Sequence, residues 1–473
     1  MASTFGGINT ALTSLYAQRR GLDVTGQNIA NTNTEGYTRQ RVRLEAQNGS
    51  LNPGIYSTTD QVGNGVAVAT VERGRNVYLE ERGRTEHANS AYLASQKGSY
   101  DQIESVLAEP SDTAIQARLH DMWDSWNDVA NNWQDPSTRS TLIERSKTVA
   151  ISLNDTHTSL SNQFEAQNNE MSAYADQVNT LAGSVADMNN QIVVAQEAGL
   201  PANELQDQRD NKVMELSELV GASAQLKTNG AMNVYVGSTA LVEGFQARSL
   251  QLIGPTTLAG VVAGDKVALQ WMDTGLNASA GGTMGAMLDT MNTIIPGIAN
   301  GLDAVAKSIA DTVNQAQAGG STQPGGYTMD GTPGDDFFTG TTASTIAVKL
   351  TDPSQVAFSK GNPLDPTTPA LDHNVADDLA DIGTSAGGPD AVYQSMIGQL
   401  GVAAQSTSRR SEIQDSVKDQ VDTSRDAESG VNLDEEMTHL LTYQRGYEAA
   451  SRVLTTIDSM LDQLINRTGL VGR

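Results

Sequence analysis

Two heptad-spaced apolar stripes, one near each end of the 473-residue chain, constrain this fold more than any other feature. Ile8, Leu15, Leu22 and Ile29 recur every seventh residue, with Leu12 on the same face. Toward the other end Leu433, Leu440, Tyr447, Leu454 and Leu461 stand seven apart, while Tyr443, Ala450, Ile457 and Leu464 follow successive members of that series. This spacing marks helices that bury one stripe against a partner helix, because an isolated stripe would stay wet. The simplest arrangement pairs the two ends, so that the chain runs out and back and its middle projects as further domains. Packing within one domain and packing between subunits both satisfy the pattern.

Between the stripes the punctuation is regular. Asn31-Thr32-Asn33-Thr34-Glu35-Gly36-Tyr37 concentrates turn formers, and Gly36 can take a positive φ at little cost. Short extended patterns around a Gly63-Asn64-Gly65 turn predict a β-rich connector over 38–76. Helical spacing is expected from Val77 to Ala108, through Ile115, Leu119, Met122, Trp123, Trp126 and Val129, from Thr138 to Ala198, from Leu205 to Val220, and again between Met284 and Gln317. Asp135-Pro136 interrupts that run. Strands are expected over about 222–275, with a hairpin at Thr228-Asn229-Gly230, and 319–388 reads as irregular and partly β. The expected fold class is mainly α with β-rich insertions, in an elongated multidomain chain. Residues 1–37 and 430–473 would form a terminal coiled coil; 77–221, 283–318 and 389–429 a helical bundle; 222–282 and 319–388 a variable outer domain.

Composition narrows the possible functions. A formal charge of -26 disfavours nucleic acid as a partner. The absence of cysteine excludes disulfides, thiolate metal sites and a cysteine nucleophile. No run of about 20 apolar residues predicts insertion into a membrane, and the first residues lack the basic start and apolar run of a cleaved secretory signal. His87, His120, His157, His373 and His439 are scattered without ligand spacing, and the acidic loop 330–336 lacks the ligand pattern of a calcium loop. The glycine pairs match no phosphate loop, and no Ser-His-Asp set can be picked out. The expectation is a protein without catalysis, metal or cofactor. Trp123, Trp126 and Trp133, three and seven apart, are expected on one buried helical face.

A resemblance adds to these readings. Asn28-Ile29-Ala30-Asn31 with Thr34, Gly36-Tyr37 and Arg39-Gln40 resembles the N-terminal signature of axial proteins of the bacterial flagellum. Asn432-Leu433-Asp434-Glu435-Glu436, then Tyr443-Gln444 and Tyr447, resembles their C-terminal one. In the middle, Asn203-Glu204-Leu205-Gln206-Asp207-Gln208-Arg209-Asp210 is similar to a bundle helix of the family of hook-associated protein 1. The resemblance implies a structural subunit at the hook–filament junction, with rod or hook subunits as the alternative and an adhesin-like outer domain less favoured. It also implies export from the cytoplasm to the extracellular flagellum. Implied partners are the hook protein, the second junction protein, copies of the chain in a tubular layer, and an export chaperone at the C-terminal helix. The assembly interface would be the two stripes, with Asn28, Asn31, Gly36, Tyr37, Asn432 and Gln444 as motif positions.

Overall fold

The computed structural model describes residues 4–47, 63–320, 324–365 and 372–463. Helix α1 (Thr4–Ala30) ends where the turn formers begin. Gly36 takes φ +73° there, and a Cβ on it would lie 1.9 Å from the Asn211 side chain, so only glycine lets the turn sit this close. Strands β1 (Gln40–Ala46) and β2 (Val66–Arg73) pair antiparallel, Gln40 opposite Arg73, with a register shift at Arg43/Leu44.

Helices α2 (Val77–Leu107), α3 (Ile115–Asn131), α4 (Pro136–Glu197) and α5 (Asn203–Val220) follow. The Asp135-Pro136 pair breaks the run by starting its second half: Pro136 takes the first helical position and the Asp135 carboxylate accepts from the Ser137 N–H at 2.8 Å. The 62 residues of α4 make the molecule long, about 90 Å at 1.5 Å per residue.

The expected hairpin forms between β3 (Ser223–Leu226) and β4 (Met232–Val236), extended by β5 (Thr239–Glu243) and β6 (Gln246–Ala247) into a four-stranded sheet. Strands β7 (Leu250–Ile253) and β8 (Ala268–Trp271) pair around a short helix α6 (Leu258–Val262), which the strand reading of this region missed. Helix α7 (Gly282–Asp289) widens into a π turn over Thr290–Ile294 before α8 (Ile295–Gln317). Pro296, which cannot donate, stands just after the widened turn. A two-stranded pair, β9 (Phe338–Thr339) with β10 (Ala347–Val348), and helix α9 (Asn374–Ala380) precede the long helices α10 (Pro389–Ser429) and α11 (Leu433–Asp462).

The segments on either side of α7 and α8 pack closely on the helices, and one expectation needs correcting. From 222–282 and 319–388, Val234, Leu241, Trp271, Phe337, Phe338 and Phe358 join Trp126, Phe164, Val213 and Leu302 of the helices in one continuous buried cluster. The reason is apolar bulk at the contact, where Phe337 lies 5.6 Å, centroid to centroid, from Trp126. The three tryptophans do not share one helix, since Trp133 lies beyond the end of α3 and stacks on Phe358.

Candidate functional site

The two chain ends meet as an antiparallel helix pair. A Cβ on Gly7 would sit 3.2 Å from Ile457 Cδ1, one on Gly21 would fall 2.6 Å from the Tyr443 ring, and one on Gly446 would meet Gln18 at 2.8 Å. As the α1 number rises from 7 to 28 its α11 neighbour falls from 457 to 436, where Asn28 Nδ2 donates to Glu436 Oε2 at 3.0 Å. The edge of α1 that touches α11 is therefore a line of small and polar residues, and glycine notches on both helices admit the bulky side chains opposite.

The closest approach to α11 thus runs beside the apolar stripe of α1, through Gly7, Gln18, Gly21 and Asn28. A second side of α1 carries the hairpin: Thr13 Oγ1 accepts from the Val66 N–H, and Gly65 lies against Thr10 and Thr13. Ile8, Leu15, Leu22 and Ile29 remain half-buried, and Leu12 is 40% exposed. On α11, Tyr443 and Ile457 face α1, while Leu440, Leu454 and Leu461 are half-buried. Leu433 and Tyr447 are exposed, as are Met437, Leu441, Val453 and Met460, which lie off the heptad series. Leu464 lies outside the described residues.

Where this pair joins the bundle, the motif residues become a polar joint. Asn28 is 1% exposed and every hydrogen-bonding valence of its amide is used. Nδ2 donates to Gln40 O and Glu436, while Oδ1 accepts from Gln40 N at 3.0 Å and from Tyr37 Oη at 2.8 Å. Burial, then the Asp207, Glu204 and Glu436 carboxylates, push the Tyr37 hydroxyl up to about 12, so it stays a donor. Asn31 Oδ1 accepts from Thr34 and braces the turn. Asn432 caps α11 by accepting from the Asp434 and Glu435 N–H groups, and three acidic residues in that first turn complement the helix dipole. Gln444 is exposed.

Charged side chains extend the joint. Arg39 donates to Glu436 and Glu435, each at 2.7 Å, and its backbone N–H donates to Ser429 O at the end of α10. From β2, Arg73 bridges Asp207 and Asp210 of α5 at 2.7 and 2.9 Å, and Arg75 joins Asp210 to Glu80 of α2. Arg425 of α10 completes the chain by binding both Glu80 and Asp422. Burial raises the Glu80 pKa, but the Arg75 and Arg425 guanidiniums outweigh it and hold the carboxyl below its usual range. Asn203 Nδ2 donates to Gln40 Oε1 and Val71 O, tying the hairpin to α5. An open groove of about 1330 Å³ runs under the 31–37 turn between α2, α5 and α10. Sequence reasoning marked Asn28 and Tyr37 as motif positions but missed this ionic chain. Its signal was the density of charge in Asn203–Asp210 and the arginines before Asn76.

The charges are also partitioned. Residues 1–76 and 430–473 contain eleven arginines, no lysine and eleven acidic residues, so the whole formal charge of -26 belongs to 77–429. Among the described residues, no cluster of His, Cys, Asp or Glu is arranged to hold a metal ion, and no helix is long and apolar enough to cross a membrane. In the acidic loop, Asp335 is paired with Lys349 at 2.8 Å.

The two chain ends that form this antiparallel pair are those of axial flagellar proteins. Residues 8–38 match the model for flagella basal body rod proteins, and 425–467 the model for the C-terminal part of flagellar basal body rod FlgEFG proteins. Residues 100–338, half of the chain, match the helical domain of flagellar hook-associated protein FlgK, and the chain belongs to that family. It is a structural subunit of the bacterial flagellum, at the junction between hook and filament. It is similar to flagellar hook-associated protein 1 of Bacillus subtilis, at 29% identity over the full length of both chains. Against flagellar hook-associated protein 1 of Escherichia coli it is 24% identical, over 97% of this chain and 99% of the relative. The fold resembles that of the flagellar hook junction protein FlgK from Burkholderia pseudomallei, with a TM-score of 0.61 over 73% of this chain and 99% of the other, at 15% identity.

Proposed function

We propose that the terminal helix pair is the assembly element of this subunit, and that the stripe Ile8, Leu12, Leu15, Leu22 and Ile29 packs into neighbouring copies in a tubular layer. The observation that supports this reading is that the stripe keeps exposed surface in the single chain: Leu12 is 40% exposed, and Ile8, Leu15, Leu22 and Ile29 are only half-buried. Burying a fully exposed Leu or Ile side chain contributes about 1.5 to 3 kcal/mol, so the area these five residues still expose supplies part of that amount each once a partner covers it. The exposed Leu433 and Tyr447 belong to the same proposed surface, as do the half-buried Leu440, Leu454 and Leu461; Tyr443 and Ile457 act by holding the pair together. A contact between different faces of successive copies propagates around a ring instead of closing as a dimer.

In this reading the layer meets the hook protein on one side and the second junction protein on the other. The chain leaves the cytoplasm through the flagellar export channel, with a chaperone covering α11 until then, since an amphipathic helix suits a groove. The domain division is carried forward with the outer segments packed on the bundle. The joint would pass force between helix pair and bundle, because its ion pairs tie α11, the connector, α5, α2 and α10 into one frame.

Leu12→Asp tests this. The exposed position tolerates the carboxylate in the monomer, whereas the proposed interface does not. The expected result is a folded, exported variant that fails to enter flagella, leaving hooks without filaments in electron micrographs. Normal filaments carrying the variant would overturn the reading.

A further inference from the structure

At the rim of the joint groove one histidine binds three helices. His87 on α2 has Nδ1 2.7 Å from Glu218 Oε1 on α5 and Nε2 2.9 Å from Asp422 Oδ2 on α10. Ionised carboxylates only accept, so both contacts are hydrogen bonds only when the ring carries both protons. A neutral ring keeps one contact and turns a lone pair toward the other carboxylate. We infer that His87 is a proton-operated latch that clasps α10 to α2 and α5 at the base of the terminal helix pair, closed when the imidazole is charged and loosened when it is neutral.

The surroundings favour the closed form. The groove that His87 lines also carries Glu35 of the turn, Glu80 of α2, Asp210, Glu215 and Glu218 of α5, and Asp422 and Asp426 of α10, against Arg75 of the connector and Arg425 of α10. Glu435 and Arg39, paired with each other, line its far wall, and Arg84 of α2 is buried nearby in the same helix. The hydrogen bond to Glu218 acts most strongly to raise the His87 pKa above 6.5, burial opposes it, and Asp422 reinforces it. Proton access is open, since the side chain keeps 19% of its surface exposed in the groove. Loosening has a path outward: seven residues after Asp422, the Ser429 carbonyl accepts the Arg39 N–H, and Arg39 holds α11. For a group whose pKa is raised by folding, the stabilisation is complete below the unfolded value of 6.5 and disappears as pH rises through the folded value.

Two measurements on the full chain test the latch. The chain has five histidines, so the His87 ring proton can be assigned by its loss in His87→Gln and titrated by NMR. It should titrate above the ordinary value, and closer to it in Asp422→Asn. Hydrogen exchange of 415–429, corrected for intrinsic rates, should lose on the order of tenfold protection between about pH 6 and about pH 9 in the native protein. His87→Lys, charged throughout that range, should stay protected, and His87→Gln should be unprotected at both ends. A normal His87 titration, or protection of 415–429 that does not change with pH, would overturn the inference. Should His87→Lys fail to fold, the Asp422→Asn comparison still decides the matter, because it must flatten the pH dependence.

Discussion

Arg39 and Glu436, 397 positions apart in sequence, form a 2.7 Å ion pair in which each side chain is more than nine-tenths buried. Neither end of the chain builds this contact alone: the connector brings the guanidinium and the first turn of α11 brings the carboxylate. A buried pair of this kind is costly to break from one side, because the remaining charge has lost its water and its partner together.

Arg39→Met should therefore destabilise the terminal region by about 3 to 5 kcal/mol, read as the drop in unfolding free energy from urea titrations. Adding Glu436→Gln should recover part of that loss by removing the orphaned charge. A single variant as stable as the native protein would mean that water reaches the joint freely.

The close approach of α1 and α11 makes a prediction in which a sign reverses. Gly21→Ala places a methyl group 2.6 Å from the Tyr443 ring, and that overlap should outweigh the helix-propensity gain of about 1 kcal/mol. In a Tyr443→Ala background the notch is empty, and the same substitution should stabilise by about 1 kcal/mol. The four proteins of the double-mutant cycle, melted side by side, measure the coupling.

Acid should weaken the joint through Glu80. Its pKa is lowered by folding, so the stability it contributes is fully present above the ordinary value of 4.5 and is lost as pH falls through the lower folded value. Urea midpoints of the native protein and Glu80→Gln should differ most near neutral pH and converge as the solution is acidified below 4.5 and through the lower folded value. A gap that stays constant would remove Glu80 from the acid response.

Self-association should depend on salt. The terminal unit is electrically balanced while 77–429 carries the full -26, so copies that meet through their helix pairs also bring acidic bundles together. At about 0.01 M salt the screening length is about 30 Å and repulsion should hold copies apart; at about 0.15 M it is about 8 Å and sedimentation should show larger species. Identical sedimentation at both salts would rule out bundle repulsion as a control.

The helices were legible in sequence because each is a local pattern: apolar spacing, a capping Asn432, a Pro136 at a helix start, turn formers after Ala30. The pairing of the two ends was legible too, since each stripe marks a helix that calls for a partner. Which side of α1 does the pairing was not. Heptad spacing marks where apolar residues lie, but the face that wins in a tight antiparallel pair is set by how near two backbones can come, and that depends on Gly7, Gly21 and Gly446 meeting particular neighbours. Isolated glycines in a helical pattern carry no such signal by themselves.

By itself, then, the sequence determined a helix-rich chain closed on its own ends and a set of motif residues with no site for chemistry in view. Tertiary structure decided that Asn28, Arg39, Asp207, Glu436 and Arg425 share one joint, that His87 stands between two carboxylates, and that the outer segments share the core of the bundle. Periodicity is a property of neighbours along the chain. Charge pairing and close packing are properties of neighbours in space, and these are set only once residues hundreds of positions apart have been brought together.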